Sequence, residues 1–276
     1  MSKYLIVDAD DFGHTMGVSE GILNAYRRGI ATSTTALMNK PGVAASLLKA
    51  RKICPGLGLG VHLVLTAGHP ILTPIEVPSL TGGKDQFDGL HEFITNLGGL
   101  DLSEVCAEWM AQINLFIKTI GQKPDHLDSH HSCSYLSPSL FEIMLKLANE
   151  FGIPIRMPFC AESDNVIGDL PKKEKNRILR FYPQILERFI QPFPQHFIAS
   201  FYDEGVSFLS LKKILEQLPT GTSKLMCHPG YVDDELYSNS TYNNMREREL
   251  EILTNDGIKT CLSEYGIELI NFSQLY

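Results

Sequence analysis

The sequence lacks several features that would assign it to a common class of protein. No stretch approaches the roughly 18 consecutive apolar residues of a membrane span, and the six cysteines form no CxxC pair. Basic residues are few, since 24 Lys and Arg stand against 32 Asp and Glu, a net charge of −8. These absences argue against a membrane protein, a disulfide framework or sulfur zinc site, and a protein whose main partner is nucleic acid or anionic membrane.

Nucleotide-binding motifs and internal repeats are missing as well. No GxGxxG or P-loop follows a predicted strand, which disfavours nucleotide binding. The apolar run before the first Asp has only four residues, Tyr4 to Val7, too few for a signal peptide, so we expect a cytoplasmic location. The 276 residues, 43% of them hydrophobic, are enough for a large core. We expect one domain over residues 1–276, because barrels of this size form single units.

Short apolar segments alternate with helical patterns along the chain. We predict strands at 4–7, 31–38, 58–65, 124–134, 153–157, 197–201, 224–227 and 267–271, with helices between them. Residues 66–100, rich in Gly and Pro, are predicted as a functional loop or lid that can include a short hairpin. Residues 169–194 are predicted as helix on the outside. The pattern predicts an α/β fold, a (β/α) barrel of the TIM type that is complete, distorted or incomplete.

Four predicted strands end in side chains that bind metals or transfer protons. They are Asp10 and Asp11 on the first strand, His62 on the third, the run 126–131 on the fourth and His228 on the seventh. The carboxyl ends of parallel strands meet at one rim of a barrel. The sequence therefore predicts that these groups form one site.

The run HLDSHH at 126–131 has the spacing of a metal-binding strand. In an extended chain residues 126, 128 and 130 point to one face. We therefore interpret His130 as a ligand and Asp128 as a carboxylate that orients an imidazole. Two imidazoles and a carboxylate with open positions are typical of a catalytic divalent site.

The adjacent acids Asp10 and Asp11 cannot easily do the same work, because their side chains diverge. One of them can bind the metal while the other takes a proton from water. His228 approaches from the opposite side of the rim, where it could protonate a leaving group or stabilise an oxyanion.

Five segments resemble the YdjC-like carbohydrate deacetylases, and within them the enzymes that act on diacetylchitobiose and other chitooligosaccharides. The segments are LIVDADDFG at 5–13, TSTTALMN at 32–39, GVHLVLT at 60–66, HLDSHH at 126–131 and MCHPGYVD at 226–233. They occur in the order and spacing of that family and span nearly the whole chain. The resemblance implies a barrel-like divalent-metal hydrolase that removes N-acetyl groups from N-acetylglucosamine units, commonly as a homodimer.

The resemblance also implies roles for particular residues. The matching positions are Asp11, His62 and His130 for the metal ligands, Asp10 for the general base and His228 for the general acid. Two positions depart from the family: Ser132 stands where a third His is frequent, and Asp8 where Asn is frequent. The family is usually described with magnesium, whereas two imidazoles and a carboxylate suit zinc, so we expect a divalent cation of either kind.

Three further residues are candidates for contact with an oligosaccharide, each with a structural alternative. Arg156 could hold a sugar hydroxyl or a 6-phosphate, or form a salt bridge within the fold. Tyr135 and Tyr231 could offer rings to sugar faces, or pack with one hydrogen bond. Two other functions stay open: a metal-dependent phosphoesterase, which needs a second metal about 4 Å away or a cationic clamp, and a non-catalytic metal- or sugar-binding protein.

Overall fold

A computed structural model describes residues 2–156, 184–185 and 187–275. The strands are β1 (Lys3–Phe12), β2 (Ser33–Ala36), β3 (Gly58–Leu63), β4 (Leu127–Ser129), β5 (His196–Ile198), β6 (Gly221–Cys227) and β7 (Ile267–Leu269). The helices with described bounds are α1 (Met16–Arg28), α2 (Val43–Ile53), α3 (Pro78–Thr81), α4 (Leu90–Asn96), α5 (Leu102–Ile120), α6 (Pro138–Phe151), α7 (Phe208–Glu216), α8 (Asp234–Asn239), α9 (Asn244–Leu253) and α10 (Asp256–Glu264). In this part of the chain no helix is both long and apolar enough to cross a membrane.

The strands form a single parallel sheet in the order β4-β3-β2-β1-β6-β5. Strand β7 pairs with the first residues of β1, so β1 lies at the centre. One bridge between Leu127 and Ile155 continues the sheet beyond β4. The sheet curls into a partial barrel with helices around it, which confirms the predicted (β/α) barrel-like fold in an incomplete form.

Several element boundaries differ from those predicted. Strand β1 runs on through its acids to Phe12, and the predicted fifth strand is reduced to the bridge at Ile155. The loop at 66–100 contains helices α3 and α4 and no hairpin. Most of the predicted helical region at 169–194 lies outside the described residues. Short strands are hard to delimit from sequence because the neighbouring strand, rather than local propensity, decides where the pairing ends.

Helix α1 lies directly against the segment that follows β6. Thr15 caps its start by accepting a hydrogen bond from the Val18 N–H, and basic residues occupy its last turn. A Cβ on Gly21 would lie 2.5 Å from Gly230 Cα, so only glycine allows this approach of the two backbones. The contact fixes the position of the chain just after His228.

A buried polar pair on α5 holds the start of the 66–100 loop against the barrel. Glu108 accepts hydrogen bonds from the backbone N–H groups of Ile71 and Leu72 at 2.9 and 3.0 Å. Gln112 bonds to both the N–H and the carbonyl of Val64. The Glu108 and Gln112 side chains thereby supply hydrogen-bond partners for backbone groups that no neighbouring strand pairs after the end of β3.

Candidate metal and catalytic site

The end of β1 carries three buried acids, and an irregularity in the strand decides where they point. The register between β1 and β2 shifts between Ala9 and Phe12, and Asp11 has a φ of 70°, which is uncommon for a residue other than glycine. In a regular strand Asp10 and Asp11 would face opposite sides of the sheet. The irregularity re-aims Asp11, so both acids line the same cavity.

Asp11, His62 and His130 form a buried cluster whose ligand atoms all lie within 4.8 Å of one another. Asp11 Oδ1 is 3.0 Å from His130 Nδ1 and 3.5 Å from His62 Nε2. This oxygen makes no hydrogen bond within the described chain, which is costly for a buried carboxylate. One carboxylate oxygen and two imidazole nitrogens around a common point fit a divalent cation with open coordination positions.

Asp128 lies behind His62 and orients its ring. The two residues are register partners on β3 and β4, and His62 Nδ1 is 2.5 Å from Asp128 Oδ1. Thr35 Oγ1 donates to the other oxygen of Asp128 at 3.2 Å. Burial alone would raise the pKa of Asp128, but Arg156 and His62 hold it well below its usual value, so the carboxylate accepts the Nδ1 proton. His62 Nε2 is thereby left to face Asp11.

Asp10 belongs to a neighbouring group of buried charges. Arg156 Nη2 donates to Asp10 Oδ1 and also contacts Asp128 Oδ2. Lys224, fully buried on β6, has its Nζ 3.1 Å from Asp8 Oδ2 and 3.9 Å from Asp10 Oδ1. Burial outweighs both cations and raises the pKa of Asp10. The second oxygen of Asp10, Oδ2, lies 3.8 Å from His228 Nε2.

Asp8, His126 and Asp128 form a second set of possible metal ligands, but nearby cationic groups balance its negative charge. Their ligand atoms also lie within 4.8 Å of one another. However, Lys224 Nζ is 3.1 Å from Asp8 and 3.8 Å from Asp128. Burial alone would lower the pKa of His126, but Asp8 and Asp125 raise it to about 9, so its ring adds another positive charge. These fixed cations leave little net negative charge for a second metal ion.

His228 faces Asp10 from the end of β6 and is held through its backbone. Its N–H donates to Glu249 Oε2 at 2.5 Å, and the rings of Tyr202 and Tyr242 lie edge-on to it at 5.3 and 5.7 Å. Burial lowers the pKa of His228 well below its usual value. The imidazole is therefore neutral in the free protein and must take up a proton before it can donate one.

Helix α9 contributes two buried charged residues that sequence reasoning missed. Arg246 Nη2 donates to Asp11 Oδ2 at 2.6 Å, while Glu249 accepts from the His228 N–H and the Tyr242 hydroxyl. Residues three apart share one face of a helix. The only available signal was a charged segment at 246–251, whose pattern does not show which charges face inward.

These groups line a cavity of about 650 Å³. One side is the start of the 66–100 loop together with Gln86, and another is the segment 239–242 between α8 and α9. The lining side chains away from the cluster of Asp11, His62 and His130 are mostly polar or cationic: Lys40, Gln86, Ser132, Asn239, Ser240 and Thr241. The cavity therefore joins the candidate metal cluster to a wall rich in hydrogen-bonding groups.

The three candidate substrate residues lie in very different places. Arg156 lines the cavity, but its guanidinium is already paired with Asp10 and Asp128, so a phosphate would compete with two carboxylates. Tyr135 is 1% exposed, does not line the cavity, and donates its hydroxyl to the Arg156 carbonyl. Tyr231 is 42% exposed outside the cavity and accepts from Asn24. Each tyrosine makes the hydrogen bond of its structural alternative, and contact of either ring with substrate stays a prediction.

The Glu249 carboxyl should make the stability of the protein depend on pH. Burial raises its pKa from 4.5 to about 8, so the folded chain keeps a proton that the unfolded chain releases. Between those values the folded state binds more protons, and stability falls as pH rises. We expect the free energy of unfolding to drop by on the order of 3 kcal/mol from about pH 5 to about pH 8 relative to Glu249→Gln.

Urea unfolding across that pH range measures the effect. Exposed Glu251 on the same helix supplies the control, because Glu251→Gln should keep the wild-type slope. Parallel stability curves for wild type and Glu249→Gln would show that the buried carboxyl does not hold the proton.

The fold and the site together define a (β/α) barrel protein with a candidate single-metal centre at the carboxyl ends of its strands. The chain belongs to the YdjC-like protein family, whose profile matches residues 4–264. A carbohydrate deacetylase from Enterococcus faecalis is 35% identical over 99% of this chain and 98% of its own length. A chitooligosaccharide deacetylase from Yersinia enterocolitica is 34% identical over 99% of both chains.

Solved structures agree with the fold. A protein from Enterococcus faecalis, described as a candidate cellobiose-phosphate cleavage protein, superposes with a TM-score of 0.84 at 35% identity, covering 99% of this chain and 98% of that one. The Xyl-CE4 domain of a multidomain xylanase from a Trinervitermes trinervoides hindgut metagenome gives 0.52 at 9% identity, covering 99% and 89%. The second likeness shows that the barrel-like architecture persists where sequence similarity is lost.

Proposed function

We propose that this protein is a divalent-metal-dependent carbohydrate deacetylase that hydrolyses the N-acetyl group of chitooligosaccharides such as diacetylchitobiose or its 6-phosphate. The observation that carries the proposal is the arrangement of Asp10 and His228 beside the cluster of Asp11, His62 and His130 in one cavity. Relatives that match over nearly their full length are named carbohydrate deacetylase and chitooligosaccharide deacetylase, which supports an acetylated carbohydrate as the substrate. The proposal includes a cytoplasmic homodimer that acts in chitin-disaccharide breakdown.

Asp11, His62 and His130 would hold the cation. When bound, a divalent cation supplies Lewis-acid polarisation of the acetamide carbonyl and lowers the pKa of water. Magnesium follows from the family resemblance, whereas the two imidazoles favour zinc. These two arguments favour different ions, so the activity of metal-stripped protein resupplied with each ion decides which metal the protein uses.

Asp10 is the proton acceptor for the attacking water. Its Oδ1 is held by Arg156, which fixes the carboxylate and leaves Oδ2 on the side of His228. A base held by a charge-assisted hydrogen bond keeps its orientation through the reaction. Arg156 thus acts on the reaction by orienting Asp10.

His228 supplies the proton that the leaving amine needs. The ring begins neutral, receives the proton that Asp10 took from the water, and donates it to the amide nitrogen as the C–N bond breaks. The water contributes its oxygen to acetate and a proton to the new amine, so the products are acetate and a glucosamine unit. Ser240 and Thr241 on one side of the cavity and Gln86 on another offer hydrogen bonds to sugar hydroxyls.

The phosphoesterase alternative fits these contacts less well. A second metal would enter one of two groups, Asp8 with His126 and Asp128 or Asp10 with His62 and Asp128. Lys224 and Arg156 already pair with the carboxylates of both groups. Arg156 is also unavailable as a free phosphate clamp, since two carboxylates hold it. The described residues therefore favour amide hydrolysis.

The test is acetate release by metal-stripped protein that is resupplied in turn with magnesium, zinc, manganese or cobalt. Diacetylchitobiose and its 6-phosphate are the substrates, and p-nitrophenyl phosphate is the phosphoesterase control. We expect acetate release that depends on added metal and no phosphate release. Release of phosphate without acetate, or inertness with every metal, would refute the proposed activity.

A further inference from the structure

Helix α9 reaches the candidate metal cluster through one buried side chain. Arg246 Nη2 donates to Asp11 Oδ2 at 2.6 Å, and both residues are buried. We propose that Arg246 is a positioning residue that makes Asp11 bind the divalent cation through Oδ1 alone. The inference rests on the metal site of the proposed function and adds to it the way in which one ligand is held.

The two oxygens of Asp11 have different surroundings. Oδ1 faces His130 Nδ1 at 3.0 Å and His62 Nε2 at 3.5 Å and makes no hydrogen bond within the described residues. Oδ2 is occupied by the guanidinium of Arg246. A carboxylate can bind a cation through one oxygen or both. A charge-assisted hydrogen bond on Oδ2 favours the first mode, because two-oxygen binding would have to weaken that bond.

Arg246 is itself fixed in place. Its Nε donates to the Tyr242 carbonyl at 3.0 Å, and its guanidinium carbon lies 5.6 Å from the centre of the Tyr242 ring. The Arg246 carbonyl accepts from the Gly230 N–H at 3.2 Å, which ties α9 to the segment after β6. The donor that holds Asp11 is therefore itself held by contacts to Tyr242 and Gly230.

Asp11 also needs such a restraint. Its φ of 70° is unfavourable for a residue with a side chain, and persists only when surrounding contacts determine it. The bond from Arg246 is the direct contact that Oδ2 makes with a charged group. A one-oxygen ligand leaves more coordination positions open for water and substrate than a two-oxygen ligand does.

The experiment uses the intact protein loaded with Co²⁺, whose visible absorption weakens as coordination number rises. Arg246→Met removes the donor while keeping much of the side-chain length. We expect it to lose about half or more of the visible absorption, as Asp11 swings to two-oxygen binding, and to lose about 10- to 100-fold in Co²⁺ affinity. Arg246→Lys restores one donor and should recover most of the wild-type spectrum.

The matched control is Arg248→Met on the same helix, where the arginine is half-exposed and paired with Glu251. It should leave both spectrum and affinity unchanged. A folded Arg246→Met protein with a wild-type spectrum would overturn the inference while leaving the proposed function intact. Failure of the wild-type protein to bind any divalent cation would overturn both.

A measurement on the wild type covers the case in which Arg246→Met does not fold. The infrared difference between metal-loaded and metal-free protein reports the spacing of the carboxylate stretching bands. A wide spacing, as one-oxygen binding gives, is expected, and its loss in Asp11→Asn assigns the bands. A narrow spacing in the wild type would show two-oxygen binding and overturn the inference.

Discussion

Replacement of Asp10 by Asn should abolish most turnover while the metal stays bound. The amide has the shape of the carboxylate but cannot take a proton from water, so we expect kcat to fall by about 10²- to 10⁴-fold. Asp10 lies outside the cluster of Asp11, His62 and His130, and its Oδ1 is held by Arg156. Acetate release and Co²⁺ titration of the same protein preparation measure the two effects separately.

The control for this substitution is Asp256→Asn, which changes an exposed acid at the start of α10 and should leave turnover and metal binding alone. Two results contradict the assignment in different ways. A near wild-type rate in Asp10→Asn would show that another group is the base. A parallel loss of metal would show that Asp10 is a ligand.

The rim of the barrel could be predicted because it depends on short-range rules. The convergence of parallel strands predicts that Asp10, Asp11, His62, the run 126–131 and His228 meet at one rim, whereas the choice of Asp11, His62 and His130 as ligands follows from the family resemblance. The orientation of Asp11 was outside those rules. It depends on a register shift against β2 and a positive φ, and neither leaves a mark in a single sequence.

The groups that support the rim were missed for a related reason. Lys224 occurs in an apolar strand segment, and its acidic partner Asp8 is 216 positions away, so no local pattern pairs them. Glu249 and Arg246 lie on a helix whose exposed face is also charged. Which charges face inward is decided by the docking of α9 on the segment after β6, a tertiary contact.

The aromatic candidates Tyr135 and Tyr231 do not line the cavity, because packing places their rings elsewhere. Each is close in sequence to a motif, but closeness in sequence does not determine the direction in which a ring points. Tyr135 is buried in the core, where its hydroxyl donates to the Arg156 carbonyl, whereas Tyr231 is exposed to solvent. Tyr202 and Tyr242, which do line the cavity, stack on each other at 4.5 Å and come from segments with no motif.

Replacement of His62 by Ala should remove the metal and with it the activity. His62 Nε2 is one of the nitrogens that face Asp11 Oδ1, and its ring is fixed from behind by Asp128.

Loss of a supporting partner alone costs 10- to 100-fold in metal affinity, so loss of a ligand should cost at least about 100-fold.

Isothermal titration of metal-free protein with Zn²⁺ measures this loss, and added imidazole should restore part of the affinity by entering the space that the ring leaves. His69→Ala, a change at an exposed histidine beside the cavity rim, should bind metal as the wild type does. Undiminished affinity in His62→Ala would remove this residue from the ligand set and, with it, the one-metal centre on which the proposed chemistry depends.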